Sequence, residues 1–253
     1  MTGPSPDAAT LGEPSYVWRP GQERRLELIR AYVGLEGRRL LDVGCGVGTY
    51  VRRLREFSSE VYGVDVSPGR LQAGSREVPG LLAAVGEHLP IRAASIDMVL
   101  LNEVIEHVQD DRRTLEECVR VLRPGGHAVI FAPNRLYPFE THGVQLGARY
   151  VFGNIPLVNY LPDGLRNRVV PHARAYRTSE LRRLTVGLGT RVLVHGYVYP
   201  GFDNIAARSA LAARFLRAAL YRAEHTRLRR FGLSHFLILE KLAQATVEPG
   251  CSA

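Results

Sequence analysis

The sequence predicts an α/β fold, a mostly parallel sheet with helices on both faces, and three observations carry that expectation. Short apolar runs alternate with segments of helical period from residue 39 onward. The first of these runs opens directly into three alternating glycines, Gly44, Gly46 and Gly48. The second ends in an acid, Asp65. Strands separated by helices need crossover connections, and crossovers make neighbouring strands parallel.

Residues 1–18 are rich in Pro, Gly, Ser and Ala and read as a flexible leader. They lack the basic-then-apolar pattern of a signal peptide, so none is expected. Pro20 opens a helix in which Leu26, Ile29, Ala31 and Val33 stand among charges, with Gly34 and Gly37 as stop signals. Strands are expected over 39–43, 61–65, 81–85, 96–101 and 128–132, with helices over 49–57 and after Pro68. A further helix is capped by Asp110 or Asp111 and ended by Pro124-Gly125-Gly126. Its Leu115, Cys118, Val119 and Leu122 share a face at i, i+3, i+4 and i+7. Residues 133–177 show no sustained period, and a stretch of that length without regular structure is usually functional or mobile. A short helix over 178–187, a strand over 191–198, a long helix over 204–230 and a strand over 235–239 follow. The division expected is one domain over 19–241 and a flexible tail over 242–253.

At 253 residues and 45% hydrophobic content the chain can bury one sizeable core. The net charge of +8 admits nucleic acid, anionic lipid or a phosphorylated substrate without choosing among them. Lys241 is the only lysine, so the positive charge is almost all arginine. Cys45, Cys118 and Cys251 are odd in number and widely spaced; neither a disulfide framework nor a zinc site follows, and no metal site is expected. No stretch approaches the roughly 18 apolar residues of a membrane span. The cytoplasm is the expected location.

The glycine-rich turn lets a ligand lie against bare backbone, while the next helix offers unpaired N–H groups. Asp65, at the end of the second strand, can accept hydrogen bonds from the two ribose hydroxyls of a nucleoside cofactor. Together the two features are much more specific than a glycine triplet alone.

The same residues carry a family resemblance. Asp42-Val43-Gly44-Cys45-Gly46-Val47-Gly48 resembles the first motif of class I S-adenosylmethionine (SAM)-dependent methyltransferases, and Val64-Asp65-Val66-Ser67 the second. Gly86-Glu87-His88-Leu89-Pro90 is similar to the third, and residues 97–108, which include Asn102-Glu103-Val104-Ile105-Glu106-His107, to the fourth. Leu122-Arg123-Pro124-Gly125-Gly126 resembles the turn before the family's fifth strand. The resemblance covers residues 38–134. It implies a Rossmann-like, doubly wound sheet of seven strands with an antiparallel last strand beside the sixth. It also implies SAM as cofactor: Asp42, Gly44, Cys45, Gly46 and Gly48 at its methionine end, Asp65 and Val66 at the ribose, Gly86 and Glu87 near the adenine, and Asn102 at the fourth strand's end. Many members carry an aspartate where this chain has Val85, which passes the adenine contact to Gly86 backbone or to Glu87.

Methyl transfer from a sulfonium needs alignment of acceptor, methyl carbon and sulfur, and exclusion of water. A base is needed only when the acceptor is protonated. The candidates are His142 in the 133–177 segment, His107 after the fourth strand, and His172 with Tyr176, each against a plain packing role. That segment reads as an acceptor-side insertion or lid. Its Arg149, Arg166, Arg168, Arg174 and Arg177 read either as recognition of an anionic acceptor or as solvated surface. The helix over 204–230 places Ile205, Ala212, Leu216, Ala219, Leu220 and Ala223 on one side, with Arg214 and Arg217 away from it. It reads as a sheet cover, or as a peripheral contact with the inner face of an anionic membrane. No Pro-Pro-aromatic turn follows the fourth strand, no Pro-Cys occurs, and no nucleic-acid module is visible. A small-molecule or sugar- or lipid-linked acceptor is therefore preferred, and the family resemblance alone implies methylation at oxygen. The alternatives are RNA methylation, a SAM-binding relative without catalysis and, last, a nicotinamide-dependent oxidoreductase, whose G-x-G-x-x-G spacing this chain lacks.

Overall fold

The computed structural model describes residues 16–243, with Ala148 excepted. The expected leader and tail lie outside these residues, save 16–18 and 242–243. Strand β1 (Leu40–Val43) is buried along its whole length because it is flanked on both sides, by β2 (Val61–Asp65) and β4 (Ile96–Asn102), each parallel to it. β3 (Leu81–Ala83) closes one edge beside β2, and β5 (Leu122–Pro133) lies parallel to β4. β5 begins well before the expected residue 128, since Leu122 already pairs with Ile96 across an irregularity. β11 (Ser234–Lys241) is antiparallel to both β5 and β10 (Thr190–Val198), and gives a seven-stranded sheet in the order β10-β11-β5-β4-β1-β2-β3.

Side chains alternate across the sheet with the two-residue period of a strand. Met98, Leu100, Val129, Phe131, Phe236 and Ile238 enter one core, closed by α1 (Pro20–Arg30), α2 (Thr49–Leu54) and α3 (Pro68–Ser75) through Leu26, Ile29, Val51, Leu54 and Leu71. Val99, Leu101, Ile130, Leu237 and Leu239 enter the other, where α4 (Asp111–Val121) and α6 (Thr178–Thr185) contribute Leu115, Cys118 and Leu181. The cap on α4 is Asp110, whose carboxylate accepts from the Arg113 N–H at 2.8 Å.

Two expectations need correction. Residues 133–177 are not devoid of regular structure. β6 (Phe139–Glu140) pairs with β9 (Ile155–Pro156), β7 (Val144–Leu146) with β8 (Arg149–Val151), and α5 (Asp163–Val169) follows a 3-10 turn. Val144, Val170 and Ala173 form a small core of their own. Elements of two to seven residues are too short to leave a period in the sequence. This lobe leaves and rejoins the domain at one place: Asn134 bridges Tyr176, and the Arg135 N–H donates to the Tyr176 carbonyl while that of Tyr176 donates to Pro133.

The long helix over 204–230 is broken into α7 (Asp203–Ala206), α8 (Ala210–Ala223) and a 3-10 turn, Arg227–Phe231. Ser209 starts α8 afresh by accepting from the Ala212 N–H. The packed stripe of α8 runs through Ala213, Leu216, Arg217 and Leu220, not through Ala212 and Ala219, which are exposed. Arg217 turns inward because polar partners await it, the Gly201 carbonyl and the Asp203 carboxylate. Leu211 and Phe215 are left outside at 77% and 75% exposure. Among the described residues no helix is long and apolar enough to cross a membrane.

Candidate active site

The carboxyl ends of β1, β2, β3 and β4 meet around a cavity of about 480 Å³. That edge of a doubly wound sheet is where ligands bind. Gly44 forms part of the floor in the left-handed region, φ +73°, and a Cβ there would stand 2.4 Å from Val104 Cγ2. Only a residue without a side chain lets the β1–α2 turn close against the loop after β4. Asp65 reaches the wall with a carboxylate already braced, accepting from the Gly46 N–H at 2.8 Å and the Ser67 N–H at 2.9 Å. Buried beside it, Asp42 has its carboxyl pushed well above the ordinary range by burial and then by the Asp65 charge.

Val66, Val85, Gly86 and Glu87 continue the wall from the β2 and β3 ends. Glu87 accepts from the Gln109 and Asp110 N–H groups at 2.8 and 3.1 Å, which ties the β3 loop to the start of α4. Of the cofactor residues expected from sequence, Gly44, Asp65, Val66, Gly86 and Glu87 lie on the wall; Asp42, Cys45, Gly46 and Gly48 stand behind it in the turn. Asn102 does not reach it. Its Oδ1 is taken at 2.5 Å by Arg25, a part-buried arginine of α1. The next residue, Glu103, lines the cavity instead, at φ +55°, and accepts from Arg25 at 2.6 Å and from Ser234 Oγ at 2.5 Å. Arg25 carried no signal of its own among the other charges of its helix.

The three candidate histidines, scattered in sequence, come together. His107 lines the cavity, and its ring meets that of His142 edge-on with centroids 5.1 Å apart. The His107 Nδ1–H donates to the His172 carbonyl at 3.0 Å, and His172 Nε2–H donates to the His142 carbonyl at 3.0 Å. His142 Nδ1 bonds Glu140 Oε1 at 3.0 Å; the other Glu140 oxygen accepts from buried Arg166 at 2.7 Å. Behind the two rings sits Glu106, fully buried, with neither carboxylate oxygen hydrogen-bonded. Its Oε1 is 3.6 Å from His142 Nε2 and 3.9 Å from His107 Nε2.

Burial drives His107 down to about 4, helped by the neighbouring His142, so its ring is neutral. Burial works against a charge on His142 as well, but the Glu106 and Glu140 carboxylates outweigh it and push the ring upward. Glu106 is pushed upward by burial. His172 and Tyr176 do not reach the cavity wall. The Tyr176 hydroxyl is a strut, donating to the Ile105 carbonyl at 3.0 Å and lying 3.1 Å from Asp111 Oδ2. Three of the lobe's arginines are also occupied within the chain: Arg166 by Glu140, Asn159 and the Ala173 carbonyl, Arg174 by the Val108 and Gln109 carbonyls, Arg177 by Asp163 and Glu180.

Residues 41–130 match the model of a methyltransferase domain. Among similar proteins is a ubiquinone biosynthesis O-methyltransferase of Azoarcus sp. (strain BH72), 28% identical over 193 residues, which span 73% of this chain and 78% of that protein. Another of the same description, from Coxiella burnetii (strain RSA 331 / Henzerling II), is 29% identical over 187 residues, 71% of this chain and 75% of that one. Of solved structures, a SAM-dependent methyltransferase from Mesorhizobium loti superposes with a TM-score of 0.58 at 21% identity, covering 85% of this chain and 96% of its own. The [4+2]-cyclase SpnF superposes with a TM-score of 0.56 at 19% identity over 88% and 82%. These two likenesses are of fold, and the second shows that the fold alone does not fix the chemistry.

Proposed function

Because the chain belongs to the class I SAM-dependent methyltransferases, we propose that it passes the methyl group of SAM to an oxygen of a small-molecule acceptor. The observation that carries this reading is one cavity that joins Gly44, Asp65, Gly86 and Glu87 on its donor side to His107, whose ring meets His142 of the lobe. Asp65 holds the ribose: each of its oxygens accepts one backbone N–H and keeps a second lone pair for a hydroxyl. Gly86 and Glu87 border the adenine, and the turn over Asp42, Gly44, Cys45, Gly46 and Gly48 receives the methionine end. The lobe over 134–176 serves as the acceptor-side insertion, and the cluster of Glu106, His107 and His142, supported by His172, stands at the acceptor end. Oxygen is the atom named for the relatives from Azoarcus and Coxiella.

Calorimetric titration with SAM and with S-adenosylhomocysteine tests the donor side. Asp65→Ala removes two hydrogen bonds to a charged acceptor and is expected to weaken both ligands by about 10- to 100-fold. Unchanged affinity in the variant, or no binding to well-folded wild-type protein, sinks the assignment.

A sugar- or lipid-linked acceptor at a membrane surface is the second reading, favoured by Leu211 and Phe215 projecting from α8 beside exposed Arg214 and Arg222. Such a face suits an anionic interface. Flotation with anionic liposomes is expected to carry the wild-type protein, and the Leu211→Glu/Phe215→Glu variant is expected to stay behind; equal behaviour of the two ends this reading. An anionic acceptor now rests on the exposed Arg149 and Arg168. Their joint replacement by alanine should raise the acceptor KM, and an unchanged KM removes the idea.

A further inference from the structure

The cluster behind the cavity has an electrostatic peculiarity that a proton acceptor does not need. Glu106 is buried with both carboxylate oxygens lacking a hydrogen bond, and the positive group facing it, the His142 ring, stands at 3.6 Å, beyond hydrogen-bond reach. The two rings beside it are held in one orientation. His107 Nδ1 faces the His172 carbonyl, which can only accept, so in the neutral ring the proton sits on Nδ1. His142 Nδ1 faces the Glu140 carboxylate in the same way, and Arg166 fixes that carboxylate from behind. Both Nε2 atoms are thereby turned toward Glu106, the His142 one holding a proton that an incoming metal ion would displace, and one ligand atom from each of the three residues lies within 4.8 Å of the others. A second carboxylate or a carbonyl behind each imidazole is the usual support of a metal-ligating histidine.

We propose that Glu106, His107 and His142 form a binding site for a divalent first-row transition-metal ion such as zinc or cobalt. The ligand set is two imidazole nitrogens and one carboxylate, which favours such ions over magnesium or calcium, whose preference is for oxygen alone. The Glu106 oxygen stands 3.6 and 3.9 Å from the two nitrogens. Neighbouring ligands of a tetrahedral ion with bonds near 2.0–2.1 Å are about 3.3 Å apart, so the Glu106 oxygen needs to close by only a few tenths of an ångström on each nitrogen, and all three atoms already lie within 4.8 Å of one another. The cysteines, whose spacing led to the expectation of no metal, take no part.

The use of the ion rests on the methyltransferase reading; its binding does not. Three protein ligands leave coordination positions open, and His107 belongs to the cavity wall. An acceptor hydroxyl bound to the ion gives its proton to solvent water. The resulting oxyanion attacks the methyl carbon of SAM, forming the O–C bond as the C–S bond breaks, and the electron pair leaves on sulfur, giving neutral S-adenosylhomocysteine.

The test is titration of chelator-treated, full-length protein with Co2+, without SAM, followed by calorimetry and by the visible ligand-field spectrum. Wild type is expected to take up one ion per chain, with bands that mark nitrogen and oxygen ligation. His142→Gln and Glu106→Gln are expected to weaken uptake about 100-fold or more, and Glu140→Gln, which touches the ion site only through His142 and also weakens the pair with Arg166, about 10- to 100-fold. On the same samples, SAM affinity reports the donor site and resistance of residues 134–176 to protease reports the folding of the lobe. No uptake by wild-type protein overturns the metal site whatever the variants do. Uptake undiminished in folded His142→Gln and Glu106→Gln overturns it equally. Failure of SAM to bind, with Co2+ uptake intact, overturns the donor reading and leaves the metal site standing.

Discussion

The sheet edge formed by β1 to β4, which walls the cavity, and the lobe between β5 and α6, whose His142 meets that wall through the His107 ring, are built on opposite principles. At the sheet edge the shape is made by main chain: Gly44, Gly46 and Gly48 all lie at positive φ, and Asp65 is braced by two backbone N–H groups. In the lobe the shape is made by side chains that meet across long sequence distances, with Arg166 reaching Glu140, Glu140 reaching His142, and His142 reaching Glu106. The first kind of site tolerates variation in what surrounds it as long as the backbone can turn. The second depends on a chain of buried charges in which each member compensates the next.

That contrast can be broken by removing a link from each side. The larger effect is expected in the lobe. Arg166→Ala strips the partner from Glu140 inside the protein, and losing one member of a buried ion pair costs about 3–5 kcal/mol. The lobe should loosen, seen as a lowered Tm and new proteolytic cuts within 134–176, while SAM affinity stays within about 3-fold. If SAM affinity falls in step with the lobe, the two regions form one cooperative unit and the contrast fails. The smaller effect in free energy is expected from Gly44→Ala, whose Cβ meets both a positive φ and Val104. It should weaken SAM about 30- to 100-fold by calorimetry, about 2–3 kcal/mol, with the lobe's resistance to protease unchanged. Affinity within a factor of three would show that the turn has slack which the structure does not suggest.

The same contrast explains what could be read in advance. A backbone that must turn under a ligand demands glycine at fixed spacing, and a strand that must end at a ribose demands an acid there. Gly44, Gly46, Gly48 and Asp65 were therefore visible as a pattern, as were the apolar runs of the sheet, because local geometry dictates residue type. His107, His142 and His172 could be named singly, but nothing local announces that residues 35 and 65 positions apart share one pocket. Glu106 stood inside a quoted motif and Glu140 two residues before His142, yet their burial is a property of tertiary packing. Asn102 reads as a cavity residue because it ends a strand, and its side chain instead meets Arg25, a partner 77 residues away. The break at Ser209 was missed because a helix pattern on either side hides a cap between.

The pairing of Asn134 with Tyr176 gives the lobe the topology of a plug-in module: entry and exit lie side by side on an otherwise complete sheet. Closing a loop between two fixed, adjacent points costs little more for a long insert than for a short one. The rim of the sheet can thus host a differently shaped lobe without disturbing the strands beneath. One contiguous cassette can then be exchanged at a site where the chain bears no topological penalty for carrying it.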